Sequence, residues 1–115
     1  MKDKPVGFVG LSNISTTNKN ADLQIVIGEV DFLWKGIGTY AMKRIIKYGF
    51  TKLNLHKINL WVLKTNAIAV HLYKKLWFQV EWSMKDEIFL DWKPHDFLSM
   101  AIFKKYWLKQ QIESL

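Results

Sequence analysis

Two glycines, Gly36 and Gly38, mark the point where the hydrophobic pattern of this chain changes its period. Residues 23–27, before them, are rich in β-branched side chains, as a strand favours. Residues 40–50, after them, repeat their apolar side chains at helical spacing. A strand that passes through a glycine turn into a helix suits anion binding, because small residues let the backbone approach closely and the first helical N–H groups point at the anion. Since Gly-x-Gly occurs in many loops, its context has to identify the anion.

The composition limits the class of protein. The 115 residues suffice for one domain, which we expect to span residues 1–115. Half of the residues are hydrophobic, and the absence of cysteine excludes disulfides and thiolate chemistry. The N-terminus lacks the apolar core of a signal peptide, and no apolar run is long enough to span a membrane. We therefore expect a cytoplasmic protein with no membrane partner.

The net charge of +7 has two interpretations. It describes a solvated lysine-rich surface, or it indicates an anionic partner such as nucleic acid, an acidic protein or a phosphate-bearing cofactor. Arg44 is the only arginine, which argues against sequence-specific DNA recognition because arginine supplies the fork that reads guanine. A basic nucleic-acid-binding protein is a minor hypothesis that rests on charge and aromatic content, and our main prediction includes no nucleic acid.

The apolar runs predict the order β-β-α-β-α-β-β, which is an α/β (α+β) fold with a mixed sheet. The predicted strands are residues 6–14, 22–28, 58–63, 78–90 and 97–103, and the predicted helices are residues 40–50 and 67–76. The central strand–helix–strand unit implies at least one parallel pair. The nearly continuous apolar run at 58–63 predicts a strand covered on both faces. Residues 28–35 are predicted as a loop, and residues 91–96, with Pro94, as a turn.

This order of elements, together with the residues that connect them, resembles the GNAT superfamily of acetyl-CoA-dependent N-acetyltransferases. The resemblance is greatest to the branch of ribosomal-protein alanine and spermidine acetyltransferases. Residues 33–38 are similar to the family's Gln/Arg-x-x-Gly-x-Gly/Ala loop, although Leu33 replaces the polar residue. Residues 66–78 look like its Asn-x-x-Ala-x-x-x-Tyr-x-Lys-x-Gly-Phe block, with Trp77 in place of glycine. Residues 54–58 are similar to the branch's run into its fifth strand. The resemblance covers residues 6 to about 107.

The resemblance implies acetyl-CoA as co-substrate and a set of backbone contacts to it. The N–H groups that would bind its pyrophosphate are those of Trp34, Lys35, Gly36, Ile37, Gly38 and Thr39. The strand before the loop would splay from its neighbour, and Val26, Ile27 and Gly28 would pair there with the pantetheine arm and hold the thioester oxygen. Asn66 would hydrogen-bond the cofactor arm, or it would simply cap the helix that follows.

The resemblance also implies catalytic residues. Tyr73 would be the general acid that protonates the leaving thiolate, and its alternative role is an aromatic core residue. Asp22 would be the general base, with Glu29 as the second candidate, although either can be a solvated turn carboxylate. We expect no catalytic role for His56 or His71, and no metal site, because no cluster has metal-ligand spacing.

The front of the chain departs from the family pattern. Family domains usually begin with a strand and two helices, whereas only residues 1–5 precede the first strand here. Their loss would leave an edge strand and apolar surface open, so we expect a homodimer. The resemblance implies an N-acetyltransferase that acts on a primary amine by direct attack in a ternary complex. The alternative is an acetyl-CoA-binding module without a competent acceptor site. The acceptor stays open among a protein α-amine, an amino sugar and a polyamine, and the charge favours an acidic or neutral one.

Overall fold

The computed structural model describes residues 7–27 and 36–113, which form a mixed sheet with helices packed against it. The elements follow one another as β1 (Gly7–Ser15), β2 (Asn20–Ile27), α1 (Ile37–Thr51), β3 (Lys57–Leu63), α2 (Ala67–Lys75), β4 (Gln79–Leu90), β5 (Lys93–Phe103) and α3 (Lys104–Glu113). The predicted fold class is confirmed, and the first seven elements appear in the predicted order. None of the helices in the described part of the chain combines the length and apolar character that crossing a bilayer requires.

The five strands lie in the order β1-β2-β3-β5-β4. β1 and β2 form an antiparallel hairpin, and β4 and β5 form a second one. β2 and β3, which are joined through helix α1, are parallel, as predicted. β5 joins the second hairpin to β3 in antiparallel register, with Ile58 opposite Ile102. β3 therefore lies between the two hairpins, parallel to β2 on one side and antiparallel to β5 on the other.

One face of the sheet is covered by helices. Gly49 of α1 lies so close to this face that an added Cβ would approach the Ile58 Cδ1 atom to 3.0 Å and the Leu11 Cδ1 atom to 3.3 Å. The ring of Phe50 contacts the ring of Trp107 in α3, with 5.4 Å between centroids. Since α1 and α3 both pack on this side, the core forms between them and the sheet. Its fully buried large side chains are Met42, Phe50, Leu55, Ile58, Leu60, Met100 and Ile102.

The prediction that β3 is covered on both faces is wrong. Its side chains alternate, because Ile58, Leu60 and Val62 are buried whereas Trp61 is half exposed. Successive side chains of a strand point to opposite faces, and the described helices pack on the face of Ile58. Because Trp61 on the other face is also apolar, the sequence of residues 58–63 looked like a continuous apolar run.

The end of the chain differs from the prediction in two respects. Only Asp91 and Trp92 separate β4 from β5, and both have positive φ, as a tight two-residue hairpin turn requires. Pro94 therefore lies in β5 and not in a turn, in the part of β5 that pairs only with β4, where a missing N–H is tolerated. The sequence analysis also missed helix α3, whose one buried side chain among the described residues is Trp107.

Candidate functional site

The parallel strands β2 and β3 diverge soon after they begin. Their backbones pair at three successive positions, the last of which joins Asp22 to Asn59. Beyond it β2 continues to Ile27 and β3 to Leu63, and no further pair joins these two described strands. Each is bonded along its other edge, β2 to β1 and β3 to β5. Between them lies a cleft whose backbone N–H and C=O groups an extended ligand can bond.

Helix α1 begins without a side-chain cap. Its N-cap residue, Gly36, has φ 79° and ψ 0°, a left-handed conformation that glycine adopts easily. No side chain caps this end, and its first turn holds no acidic residue. The helical ladder starts with the Tyr40 N–H, which donates to the Gly36 carbonyl at 3.0 Å, so the N–H groups of Ile37, Gly38 and Thr39 precede it. The positive end of the helix dipole is therefore suited to an anion.

Helix α2 begins at the same edge of the sheet as α1, because each follows the carboxyl end of one of two parallel strands. Its start is capped: the Asn66 Oδ1 atom accepts a hydrogen bond from the Ala69 N–H at 3.3 Å. The N-cap interpretation of Asn66 is thus confirmed. Its Nδ2 group donates to no other described residue, and a contact with the cofactor arm stays a prediction.

Tyr73 lies on α2 and is buried against Phe78, with 6.1 Å between ring centroids. Burial raises the pKa of the Tyr73 phenol above its usual 10.0, so the group holds its proton at neutral pH. Its hydroxyl has no hydrogen-bond partner among the described residues, and no fully buried side-chain N or O atom among them lacks a partner. The hydroxyl oxygen is therefore reachable from outside the core, as a proton donor must be.

Asp22 occupies the position at which β2 and β3 part. Its neighbours in β2, Ala21 and Leu23, are buried under the helices, so the Asp22 side chain points to the opposite face of the sheet. Its Oδ2 atom accepts a hydrogen bond from the Asn13 Nδ2 group at 2.8 Å. Asp22 and Tyr73 thus come from different faces of the sheet, and no hydrogen bond joins them.

Of the remaining predicted site residues, some lie at the end of β2 or in the first turn of α1, and the others lie outside the described residues. Val26 and Ile27 end β2, where their backbones pair with β1, and Ile37, Gly38 and Thr39 form the first turn of α1. The predictions for Gly28, Glu29, Leu33, Trp34 and Lys35 all lie outside the described residues.

The two histidines considered in the sequence have no shared site. The backbone N–H of His56 donates to the Lys19 carbonyl at 2.7 Å, and its carbonyl accepts from the Lys104 N–H at 2.9 Å, so His56 joins three segments of backbone. His71 is exposed on α2. In the described part of the chain, no three His, Asp or Glu side chains are grouped as metal ligands would be.

The junction after α2 keeps the shape of a glycine cap although the residue is tryptophan. Trp77 has φ 75°, in the left-handed region. Its N–H donates to the Lys74 carbonyl, and the Phe78 N–H donates to the Tyr73 carbonyl, both at 3.0 Å. These two bonds form a Schellman motif, which usually places glycine at this position. Trp77 packs against the core, and this packing offsets a backbone strain of about 1–2 kcal/mol.

Sequence reasoning missed two polar neighbours of Asp22, of which one is hydrogen-bonded to it. Asn13 reaches it from an irregular part of β1, where its own φ is 50°, and Asn59 lies opposite it in β3. The asparagine at 13 was a usable signal, because asparagine tolerates the left-handed region that such an irregularity needs. The position of Asn59 required the strand register, which the sequence does not provide.

Known proteins are similar to this chain in sequence. Residues 1–78 match the family model described as Acetyltransferase (GNAT) family. The chain is 38% identical over 104 residues to the spermidine N(1)-acetyltransferase of Escherichia coli, a match that covers 90% of this chain and 55% of that protein. It is 25% identical over 101 residues to the putative ribosomal N-acetyltransferase YdaF of Bacillus subtilis, covering 88% of this chain and 55% of that protein.

A solved structure agrees with the fold. The spermidine/spermine N-acetyltransferase SpeG from Vibrio cholerae, crystallised in complex with manganese ions, superposes with a TM-score of 0.82 at 34% identity, covering 91% of this chain and 61% of that one. The chain spans about 55–60% of the length of the spermidine N(1)-acetyltransferases that it matches. With a family model over residues 1–78 and two parallel strands that diverge beside an uncapped helix, the chain belongs to the acetyltransferase (GNAT) family.

Proposed function

We propose that this chain carries the cofactor half of an N-acetyltransferase that moves an acetyl group from acetyl-CoA to a primary amine. The observation that carries the proposal is the divergence of β2 and β3 beyond Asp22 and Asn59. It leaves two facing backbone edges next to the uncapped start of α1. Family membership supports acetyl-CoA as the extended, phosphate-bearing ligand of this place.

The proposed cofactor contacts are mostly backbone groups. The pyrophosphate would accept hydrogen bonds from the N–H groups of residues 34–39, aided by the positive end of α1. The pantetheine arm would extend into the cleft along Val26, Ile27 and Gly28, and Asn66 would donate to it from its Nδ2 group. Because these contacts come from the backbone, we expect binding to tolerate Leu33 in place of the family's polar residue.

The proposed reaction is direct attack in a ternary complex. The amine nitrogen forms a bond to the thioester carbon while the carbon–sulfur bond breaks, and a backbone N–H at the end of β2 stabilises the charge that develops on the thioester oxygen. Tyr73 gives its proton to the departing thiolate. The Tyr73 phenol carries its proton at neutral pH, as this role requires, and burial, which raises its pKa, makes it a weaker acid than a free phenol.

A carboxylate would take the proton that the attacking amine loses. Asp22 is the first candidate, since it lies where the strands part and its second oxygen is held by Asn13. Glu29 is the second candidate. The pH dependence of kcat/KM should be compared in Asp22→Asn and Glu29→Gln. Only the substitution that removes the base should abolish the acidic limb of the profile, because that limb reports protonation of the base.

The acceptor class we propose to test first is a polyamine, although the net charge of +7 by itself favours an acidic or neutral acceptor. Two observations support it: relatives at 38% and 34% identity are named spermidine N(1)-acetyltransferases, and Asp22 lies beside the cleft on the sheet face opposite the described helices. Spermidine, an amino sugar and a peptide with a free α-amine should be compared at equal concentration. Turnover of the peptide but not of spermidine would contradict the polyamine assignment.

A thermal-shift titration with acetyl-CoA tests the cofactor half. A ligand that binds only the folded state must raise Tm, by an amount that increases with ligand concentration above Kd. No shift would refute the proposal. A saturable shift with no acetylation of any amine would instead favour the alternative, an acetyl-CoA-binding module.

We further propose that the protein is cytoplasmic, acts without nucleic acid, and forms a homodimer. The dimer is supported by the β4–β5 hairpin, on which Trp82 and Phe89 are each 67% exposed and Trp92 is 95% exposed. Apolar patches of this kind mark protein interfaces. Sedimentation equilibrium should give a dimer mass, and a monomer at micromolar concentration would contradict this proposal.

A further inference from the structure

A cavity of about 510 Å³ lies between helices α1 and α3, away from the cleft between β2 and β3. Its apolar lining consists of Ile46, Leu76, Ile102 and Trp107. Trp107 is fixed in place because its ring packs on Phe50 in the core. The volume falls within the range of sites for small molecules, about 300–1,000 Å³, and an aromatic wall suits a planar group.

The rim of this cavity is strongly basic. Lys43, Arg44 and Lys47 of α1 and Lys52 at its end line the cavity, and no Asp or Glu is among the described residues that do so. The one ion pair within the described residues joins Lys57 to Glu81 and involves none of these side chains. Four cations around a concave apolar surface leave a positive potential that an anionic ligand would neutralise.

Arg44 is held in a position to bind phosphate. Its Nη1 group donates to the Tyr40 hydroxyl at 3.1 Å, and its guanidinium carbon lies 5.7 Å from the centre of the Tyr40 ring. Both residues line the cavity. A guanidinium fixed by a neighbour loses less conformational freedom when it binds an oxyanion, and its planar fork matches phosphate geometry.

A solvated helix face would account for the lysines but not for the cavity, because such a face has no apolar concave wall beside it. The cavity extends along α1 from Tyr40, one turn beyond Ile37, to Lys52, and no residue of the described strands β2 and β3 lines it. The rim cation Lys47 lies ten residues beyond Ile37, about 15 Å along the helix from the first turn. We propose that this cavity is a second binding site, for a small phosphate-bearing molecule of nucleotide size. The planar part of the ligand would lie in the apolar part of the cavity beside Trp107, and its phosphates would contact Arg44, Lys43 and Lys47.

The test is calorimetric titration of the protein with ADP at an ionic strength of about 0.15 M, in the presence of saturating acetyl-CoA. Acetyl-CoA fills the proposed cofactor cleft, so any saturable binding of ADP reports a different site. We expect binding of one equivalent. Adenosine, which lacks phosphate, should bind far more weakly than ADP.

A matched pair of double variants locates the site. Lys43→Gln with Lys47→Gln removes two rim charges, whereas Lys85→Gln with Lys93→Gln removes the same charge from the β4–β5 hairpin. The first pair should weaken ADP binding about tenfold or more, because each lost contact is a charge-assisted hydrogen bond, and the second pair should leave it unchanged.

Three results would overturn the proposal: no binding of ADP, equal weakening by both pairs, or displacement of ADP by acetyl-CoA. Equal weakening means non-specific attraction to a basic surface, and displacement means that ADP occupies the cofactor site. Binding of acetyl-CoA is measured first in the same samples. A protein that binds ADP at the rim but not acetyl-CoA would refute the proposed transferase and leave this second site standing.

Discussion

Helices α1 and α2 begin at the same edge of the sheet, yet their first turns are built differently. α2 starts with Asn66, whose side chain accepts a hydrogen bond from the helix, so this end satisfies itself. α1 starts with Gly36 in a left-handed conformation and has no side-chain cap. In α2 a side chain of the protein bonds a first-turn N–H group, whereas in α1 a ligand could bond the first-turn N–H groups. The difference supports the proposal that α1 binds the cofactor phosphate, whereas α2 would present a side chain for chemistry.

The largest expected effect tests the chemical role of α2. Tyr73→Phe removes the proposed proton donor and should lower kcat about 100-fold or more, the range of general acid catalysis. Acetyl-CoA affinity should stay nearly unchanged, because the phenol oxygen acts on the leaving thiolate. Steady-state kinetics with spermidine and a calorimetric titration with acetyl-CoA measure the two quantities.

Tyr106→Phe in α3 is the matched control, since it removes a phenol oxygen distant from the cleft. It should leave both quantities unchanged. If Tyr73→Phe lowers affinity as much as kcat, Tyr73 shapes the binding site and is not the acid.

The next effect tests the open end of α1. Thr39→Asp places a carboxylate in the first turn, where it should stabilise the free protein by about 0.3–1 kcal/mol through the helix dipole. The same charge repels a pyrophosphate, so acetyl-CoA affinity should fall about tenfold, or about 1.4 kcal/mol. Urea unfolding measures the expected gain in stability, and calorimetric titration measures the expected loss of acetyl-CoA affinity. Thr39→Asn, which lacks the charge, is the control, and a tighter complex with Thr39→Asp would refute the phosphate turn.

A smaller effect tests the capped end of α2. Asn66→Ala removes the hydrogen bond to the Ala69 N–H and should cost about 1 kcal/mol of unfolding free energy, whereas Asn66→Asp keeps an acceptor and should cost less. Urea unfolding of both variants measures this. If acetyl-CoA affinity falls in Asn66→Asp while stability is kept, the Nδ2 group contacts the cofactor; unchanged affinity would limit Asn66 to capping.

The smallest effect is a dependence of stability on alkaline pH. Below pH 10.0 the Tyr73 phenol is neutral in both the folded and the unfolded chain, so its titration contributes nothing. Above pH 10.0 the unfolded chain loses this proton first, because burial raises the pKa in the folded state. The free energy of unfolding of the native protein should therefore decrease relative to Tyr73→Phe as the pH rises through the folded pKa. Parallel urea-unfolding profiles for the two proteins would contradict this.

The local parts of the fold were predictable from sequence, and the parts set by packing were not. The switch of period at Gly36 gave helix α1, and the asparagine at 66 gave the start of α2. The exposure of Trp61 escaped prediction, because an apolar side chain does not reveal whether anything covers its side of a sheet. Helix α3 escaped because Trp107 is its one buried side chain in the described part, which leaves no helical period to detect.

The candidate site divides in the same way. Motif spacing placed Gly36, Asn66 and Tyr73 on the correct elements. The hydrogen bond from Asn13 to Asp22 needed the irregularity in β1, and the basic cavity needed α3. Features formed by two segments that are distant in the chain depend on register and packing, for which a single sequence carries no direct signal.

The close approach of Gly49 to the sheet fixes the distance between the C-terminal end of α1 and the sheet, and with it the tilt of the helix axis. A hydrogen atom in place of a side chain lets the helix rest against Ile58 and Leu11 near its C-terminal end. The first turn lies about 18 Å away along the axis, and a helix transmits a tilt almost without bending. A change of a few tenths of an ångström at Gly49 therefore displaces the N–H groups at the far end. The direction of the first-turn N–H groups therefore depends on the absence of a methyl group at Gly49, about four fifths of the way along α1 from them.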